Sequence, residues 1–120
     1  MSRRPHFPRT SAAGQLAARI ERRSARLGVI GLGYVGLPLA VEFGKAGFRV
    51  DGIDIDQGKV GRLRRGRSYV QDVATADVRV LVRSGRLRPT TDFGVLRNVD
   101  AVNICVPTPL SKQRDPDVSY

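Results

Sequence analysis

Three glycines, Gly31, Gly33 and Gly36, stand in the spacing G-x-G-x-x-G, and a carboxylate, Asp54, follows 18 positions after the last of them. This pattern suits the binding of a pyrophosphate beside a ribose. Gly31 permits a tight turn, Gly33 lets a phosphate approach the backbone with no Cβ in the way, and Gly36 allows a helix to pack closely on a strand. The unpaired N–H groups of that helix's first turn then point at the phosphates, aided by the helix dipole. Asp54 can accept hydrogen bonds from both ribose hydroxyls. It would also face a 2′-phosphate, and one like-charge pair at about 4 Å costs about 4 kcal/mol at an effective dielectric of 20. The carboxylate therefore predicts NAD rather than NADP. Asp56, two residues on and on the same strand face, is the competing ribose ligand, and Lys59 can reach the same place.

Other reactive side chains carry less. Cys105 lies in an apolar stretch with no histidine beside it, and reads as a small hydrophobe rather than a nucleophile. His6 has no visible partner. A lone cysteine excludes an internal disulfide and a multi-cysteine zinc site, and makes the reducing cytoplasm the default compartment. Thr108, held between Pro107 and Pro109, offers a hydroxyl where a fourth strand would end.

These residues need a scaffold, and the apolar pattern supplies one. Leu27–Ile30 reads as a buried strand and Leu37–Ala46 as a helix, with Pro38 in its first turn and Gly47 closing it. Phe48–Ile53 is a second strand with Asp54 at its end. Lys59–Arg65 is a helix weakened by Gly58 and Gly61, and Asp72–Val82 is another, stopping at Ser84-Gly85. Leu87–Thr91 is a short strand, Asp92 caps a turn through Leu96, and Val99–Val106 is the fourth strand, ended by Pro107. Alternating strands and helices predict an α/β fold: a Rossmann-type parallel sheet of about four strands, order 3-2-1-4, with helices on both faces. Such a fold normally has six strands, so the pattern is incomplete. Residues 1–26 read as a basic disordered tail (1–13) and a short amphipathic helix (15–24), and residues 27–120 as the truncated nucleotide-binding domain.

The net charge of +10 divides unevenly. Residues 1–27 hold seven arginines against Glu21, a net of +6, and residues 57–97 carry +7, whereas the glycine loop and its strand are acidic overall. The arginine block around Arg62, Arg64, Arg65 and Arg67 has only Tyr69 as a nearby aromatic. No RNA-recognition motif, paired zinc ligands or helix-turn-helix accompanies it, so no specific nucleic-acid partner is expected. The bland alternative is a solvated surface that also meets an anionic ligand or partner. No apolar run approaches a membrane span, and the arginine-rich start lacks the apolar block of a secretory signal; a transit peptide and a basic tail both remain open.

Several blocks in order resemble the nucleotide-sugar dehydrogenases that oxidise UDP-sugars at C6. They are Val29-Ile30-Gly31-Leu32-Gly33-Tyr34-Val35-Gly36-Leu37-Pro38-Leu39-Ala40, Gly52-Ile53-Asp54-Ile55-Asp56 with Lys59-Val60, Gly66-Arg67-Ser68-Tyr69-Val70, and Val106-Pro107-Thr108-Pro109-Leu110 with Asp115-Pro116-Asp117-Val118-Ser119-Tyr120. The last block is most similar to the branch acting on UDP-N-acetylhexosamines such as UDP-N-acetylglucosamine, with UDP-glucose the alternative. The resemblance implies a two-step, NAD-dependent oxidation of a sugar alcohol to a carboxylate, in polysaccharide biosynthesis, by a homo-oligomer. It implies that Gly31, Gly33, Tyr34, Val35 and Gly36 bind the pyrophosphate side of NAD, Asp54 and Lys59 the adenosine ribose, and Thr108 the nicotinamide side. The family's catalytic cysteine and sugar-binding residues lie further along than Tyr120, so no catalytic residue is assigned here and the 120-residue chain is expected to be inactive alone. Asp51 departs from the pattern by placing a charge in an otherwise apolar strand. The rival reading is a stand-alone dinucleotide-binding or basic interaction module.

Overall fold

The computed structural model describes residues 12–22 and 24–105. In chain order its elements are α1 (Ala12–Glu21), β1 (Arg26–Ile30), α2 (Gly36–Lys45), β2 (Arg49–Ile53), α3 (Gln57–Arg64), α4 (Thr75–Arg83), β3 (Leu87–Thr90), a 3-10 turn (Phe93–Asn98) and β4 (Ala101–Ile104). The four strands are all parallel and lie in the order β3-β2-β1-β4, the expected order. Strand β1 is central because both of its neighbours pair with it, Leu27 standing opposite Val50 on one side and Ala101 on the other.

Alternation along the strands sorts the two faces. Leu27, Val29, Val50 and Leu87 are buried, and Val29, Val50 and Leu87 join Leu37, Ala40, Val41, Leu63, Val78 and Leu81 of the helices in one core. Each valine or leucine among them contributes about 1.5–3 kcal/mol by leaving water. Helices α2, α3 and α4 thus share one face. On the other lies the 3-10 turn: a Cβ built on Gly28 would meet Leu96 at 3.2 Å and Val99 at 3.5 Å. The helical cover is therefore uneven among the described residues.

Local signals place the element ends. Gly47 (φ 104°) lets α2 turn into β2, its N–H donating to Gly44 O at 3.0 Å and Phe48 N–H to Phe43 O at 3.1 Å. Helix α3 forms despite Gly58 and Gly61 because Asp56 caps it and Val60 and Leu63 are buried. Asp92 caps the 3-10 turn as expected, accepting from Gly94 N at 2.8 Å.

Three expectations shift. The first helix spans Ala12–Glu21, not 15–24, so it begins inside the stretch assigned to the tail; residues 1–11, including His6, lie outside the described residues. Helix α4 starts at Thr75 rather than Asp72, because Ser68 and Val70 tie the preceding chain into a local knot. There Ser68 Oγ donates to Val70 O at 3.0 Å, Val73 N to Val70 O at 2.9 Å and Ser68 N to Thr75 Oγ1 at 3.1 Å. The fourth strand begins at Ala101 because Val99 still closes the 3-10 turn; its expected end at Val106 lies outside the described residues, as does Thr108. Strand β4 is one of the two edge strands among the described residues, with Val102 and Ile104 exposed.

Asp51 is buried (3% exposed) and resolves its misfit by pairing with Arg26 of the adjacent strand, Nη2 to Oδ2 3.1 Å. Asp100 fastens α1 to the sheet, receiving Arg19 Nη2 at 3.1 Å and Arg26 N at 2.9 Å.

Candidate cofactor groove

The carboxyl ends of β1, β2 and β4 open into a groove of about 780 Å³. Its walls include Gly31, Gly33, Tyr34, Val35, Asp54 and Lys59, so six of the sequence-assigned residues meet in one place. In open parallel sheets ligands bind beyond these strand ends, at the point where strand order reverses. Here that point lies between β1 and β4.

The glycines act by three different means. Gly31 takes φ 92°, a conformation that disfavours other residues, and donates its N–H to Ile53 O at 2.8 Å. A Cβ on Gly33 would meet nothing within 4 Å, so its space faces the groove. Gly36 is closed on the opposite side: a Cβ there would lie 1.6 Å from Gly31 O and 3.3 Å from Cys105 Cβ. Gly36 therefore shapes the loop from behind and does not line the groove. Tyr34 and Val35 stand out from the described residues at 85% and 68% exposure.

Asp54 sits where β2 ends and is held at both oxygens. Oδ2 accepts Leu32 N at 2.8 Å and Oδ1 accepts Asp56 N at 2.8 Å. An ionised carboxylate has about four acceptor positions, so each oxygen keeps one for a ligand. Asp56, the alternative, is spent on α3, accepting Gly58 N at 2.9 Å and Lys59 N at 3.2 Å. Lys59 lies at the same end of the groove, with Nζ 6.0 Å from the centre of the Tyr69 ring.

Tyr69 is a site residue that spacing alone did not single out. Its hydroxyl donates to Leu32 O at 2.6 Å, so Leu32, buried in the middle of the glycine loop, is gripped through its N–H by Asp54 and through its carbonyl by Tyr69. Burial, and secondarily the negative charges of Asp54 and Asp56, push the Tyr69 phenol well above its usual range, against a smaller opposing effect of Arg62. The hydroxyl thus stays a donor. Only its place in the block Gly66–Val70 hinted at a role. Arg62, Val70 and Ile104 also line the groove.

Cys105 is half-buried one residue past β4 and packs against the core, as a small hydrophobe does. It also forms part of the groove wall, while its N–H donates to Ile30 O at 2.7 Å. No cluster of three metal-ligating side chains occurs among the described residues, and no helix among them is long and apolar enough to cross a membrane.

A parallel sheet with a glycine loop, an acidic second-strand end and a groove at the strand-order reversal defines a Rossmann-type nucleotide-binding protein. A family model for the NAD binding domain of the UDP-glucose/GDP-mannose dehydrogenase family matches residues 25–120. The chain belongs to that family. It is 37% identical over 97 residues to the UDP-N-acetyl-D-glucosamine 6-dehydrogenase of Pseudomonas aeruginosa, covering 81% of this chain, and 40% identical over 95 residues to the UDP-N-acetyl-D-mannosamine dehydrogenase of Salmonella typhi, covering 78%. The crystal structure of a ternary complex of GDP-mannose dehydrogenase from Pseudomonas aeruginosa superposes with a TM-score of 0.70 at 35% identity over 77% of this chain. The chain spans only 22% of the length of each of these three proteins.

Proposed function

We propose that this chain is the amino-terminal, NAD-binding part of a UDP-sugar 6-dehydrogenase. The observation that carries the reading is the double hold on Leu32, which joins the phosphate loop to the ribose carboxylate in one rigid unit. In this arrangement the pyrophosphate lies over Gly31–Gly36, where Gly33 leaves room, and the adenosine ribose meets Asp54 and Lys59. Thr108, beyond β4 in sequence, serves the nicotinamide side. Bound NAD supplies the hydride acceptor for oxidation of the sugar C6 alcohol. This chain's own residues bind and orient it: the loop amides hold the phosphates, Asp54 excludes a 2′-phosphate, and Tyr69 keeps the loop from retreating.

Two of the named relatives support a UDP-N-acetylhexosamine as the substrate of the whole enzyme, with UDP-glucose the alternative. We assign the sugar chemistry to residues outside this chain, the assembled enzyme to a homo-oligomer and its compartment to the cytoplasm. The test is calorimetric titration of the full-length protein with NAD and NADP, before and after Asp54→Ala. Loss of a charge-assisted hydrogen bond to ribose costs about 1.5–3 kcal/mol, a drop in NAD affinity of about 10- to 150-fold. The discriminating result is the ratio. A loop merely loosened would lose both cofactors equally, whereas removal of the ribose carboxylate also narrows the preference for NAD over NADP. An unchanged ratio defeats the assignment of Asp54.

A further inference from the structure

At the opposite, amino edge of the sheet lies a second concavity, of about 850 Å³, lined by Arg22, Arg26, Arg49, Arg86 and Arg88 and by no carboxylate among the described residues. We propose that it is a binding site for a compact oligophosphate, either free triphosphate or the phosphate tail of a nucleotide.

Topology makes the cluster. Arginines stand at the start of three adjacent strands, Arg26 on β1, Arg49 on β2 and Arg86 and Arg88 around β3. In the parallel register Arg26 is the direct partner of Arg49, and Arg88 that of Asp51. Positions 26, 49, 51 and 88 share one face of the sheet, and adjacent strands are about 4.8 Å apart, so the guanidinium groups fan over the width of two or three phosphates. Like charges placed directly opposite destabilise a sheet unless something between them carries the other sign.

Internal partners account for only part of this charge. Arg26 Nη2 engages Asp51, and Arg86 Nη1 donates to Gly47 O at 2.7 Å at the end of α2. The side chains of Arg22, Arg49 and Arg88 are exposed and make no hydrogen bond or ion pair with the described residues, and Arg26 Nε is buried with no partner among them. Guanidinium forks match phosphate oxygens in pairs. A concavity rather than a ridge favours a compact anion over a nucleic-acid duplex. No aromatic side chain among the described residues lines it, so these offer nothing for a base to stack on. The phosphates are what the site reads.

The experiment is calorimetry on the full-length protein, saturated with NAD so that the glycine loop is filled, titrated with sodium triphosphate and separately with ATP at low salt. One site per chain is expected, weakening as salt rises. The double variant Arg49→Gln/Arg88→Gln should bind at least about 150-fold more weakly through two lost charge-assisted hydrogen bonds, while its NAD affinity, unchanged, shows it is folded. Triphosphate equal to or tighter than ATP assigns the site to free oligophosphate, and tighter ATP assigns it to a nucleotide tail. Affinity weaker than about 1 mM, or unchanged in the double variant, overturns the proposal. So does tighter binding of a DNA duplex through the same two arginines.

Discussion

Gly36→Ala and Gly33→Ala remove the same hydrogen from two glycines three residues apart, and the structure separates their consequences. A methyl at position 36 would lie 1.6 Å from Gly31 O and 2.8 Å from Gly31 C. An ordinary C···O contact is about 3.3–3.6 Å, so the loop would have to withdraw by about 1.7–2.0 Å. Its neighbours resist, since Gly31 N is bonded to Ile53 O, Leu32 N to Asp54 and Leu32 O to Tyr69. The clash is with backbone rather than a movable side-chain end, so the cost belongs at the top of the overpacking range, about 3 kcal/mol. Gly36 is the first residue of α2, where helix propensity returns little of this. The net loss stays at about 3 kcal/mol, or about 12–24 °C in Tm for a domain near 100 residues. At Gly33 there is no atom within 4 Å and no positive φ, so alanine should leave stability unchanged or raise it by about 0.4–1 kcal/mol. Its methyl would instead occupy the space the phosphates need. Urea unfolding followed by circular dichroism, paired with NAD titration, reads both effects. Gly36→Ala should lose stability and binding together, Gly33→Ala binding alone. A stable Gly36→Ala that binds NAD normally would refute the account of the loop.

Asp56→Ala should cost about 1 kcal/mol by uncapping α3 while leaving the NAD to NADP affinity ratio unchanged; a changed ratio would move the ribose role to Asp56. Tyr69→Phe should cost about 1–2 kcal/mol in urea unfolding through the lost bond to Leu32 O. Because the folded state raises the Tyr69 pKa above 10.0, the stability it contributes is complete below pH 10 and declines above it, as the unfolded chain loses the proton first. The gap between wild type and Tyr69→Phe should therefore narrow in alkaline buffer, and a gap independent of pH would contradict that link. Arg26→Met should cost about 3 kcal/mol by stranding the buried Asp51 carboxylate, whereas Asp51→Val should cost less, since the Arg26 side chain is 31% exposed and can turn to water. Equal losses in thermal unfolding would show that the pair is not asymmetric in burial.

Spacing and apolar pattern by themselves located the strands, the glycine loop and the acidic pair Asp54 and Asp56 after the second strand, because those depend on short-range chemistry: glycine conformations, caps, and the run of apolar residues that a buried parallel strand demands. Asp92 as a cap and Gly47 as a helix stop were legible for the same reason. What needed the tertiary structure were relations between residues far apart in sequence. Tyr69 meets Leu32 across 37 positions, Arg26 meets Asp51 across 25, and the arginines of three strand starts converge only once the sheet exists. The roles of the two acidic candidates also separated only in three dimensions. Two residues apart, Asp54 and Asp56 look alike in sequence, yet both lie beyond β2; the backbone N–H groups that each accepts decide that one serves the loop and the other the helix. Local propensity is written in neighbouring residues. Long-range pairing is settled by which surfaces the packed core brings together, and no single stretch of chain contains that information.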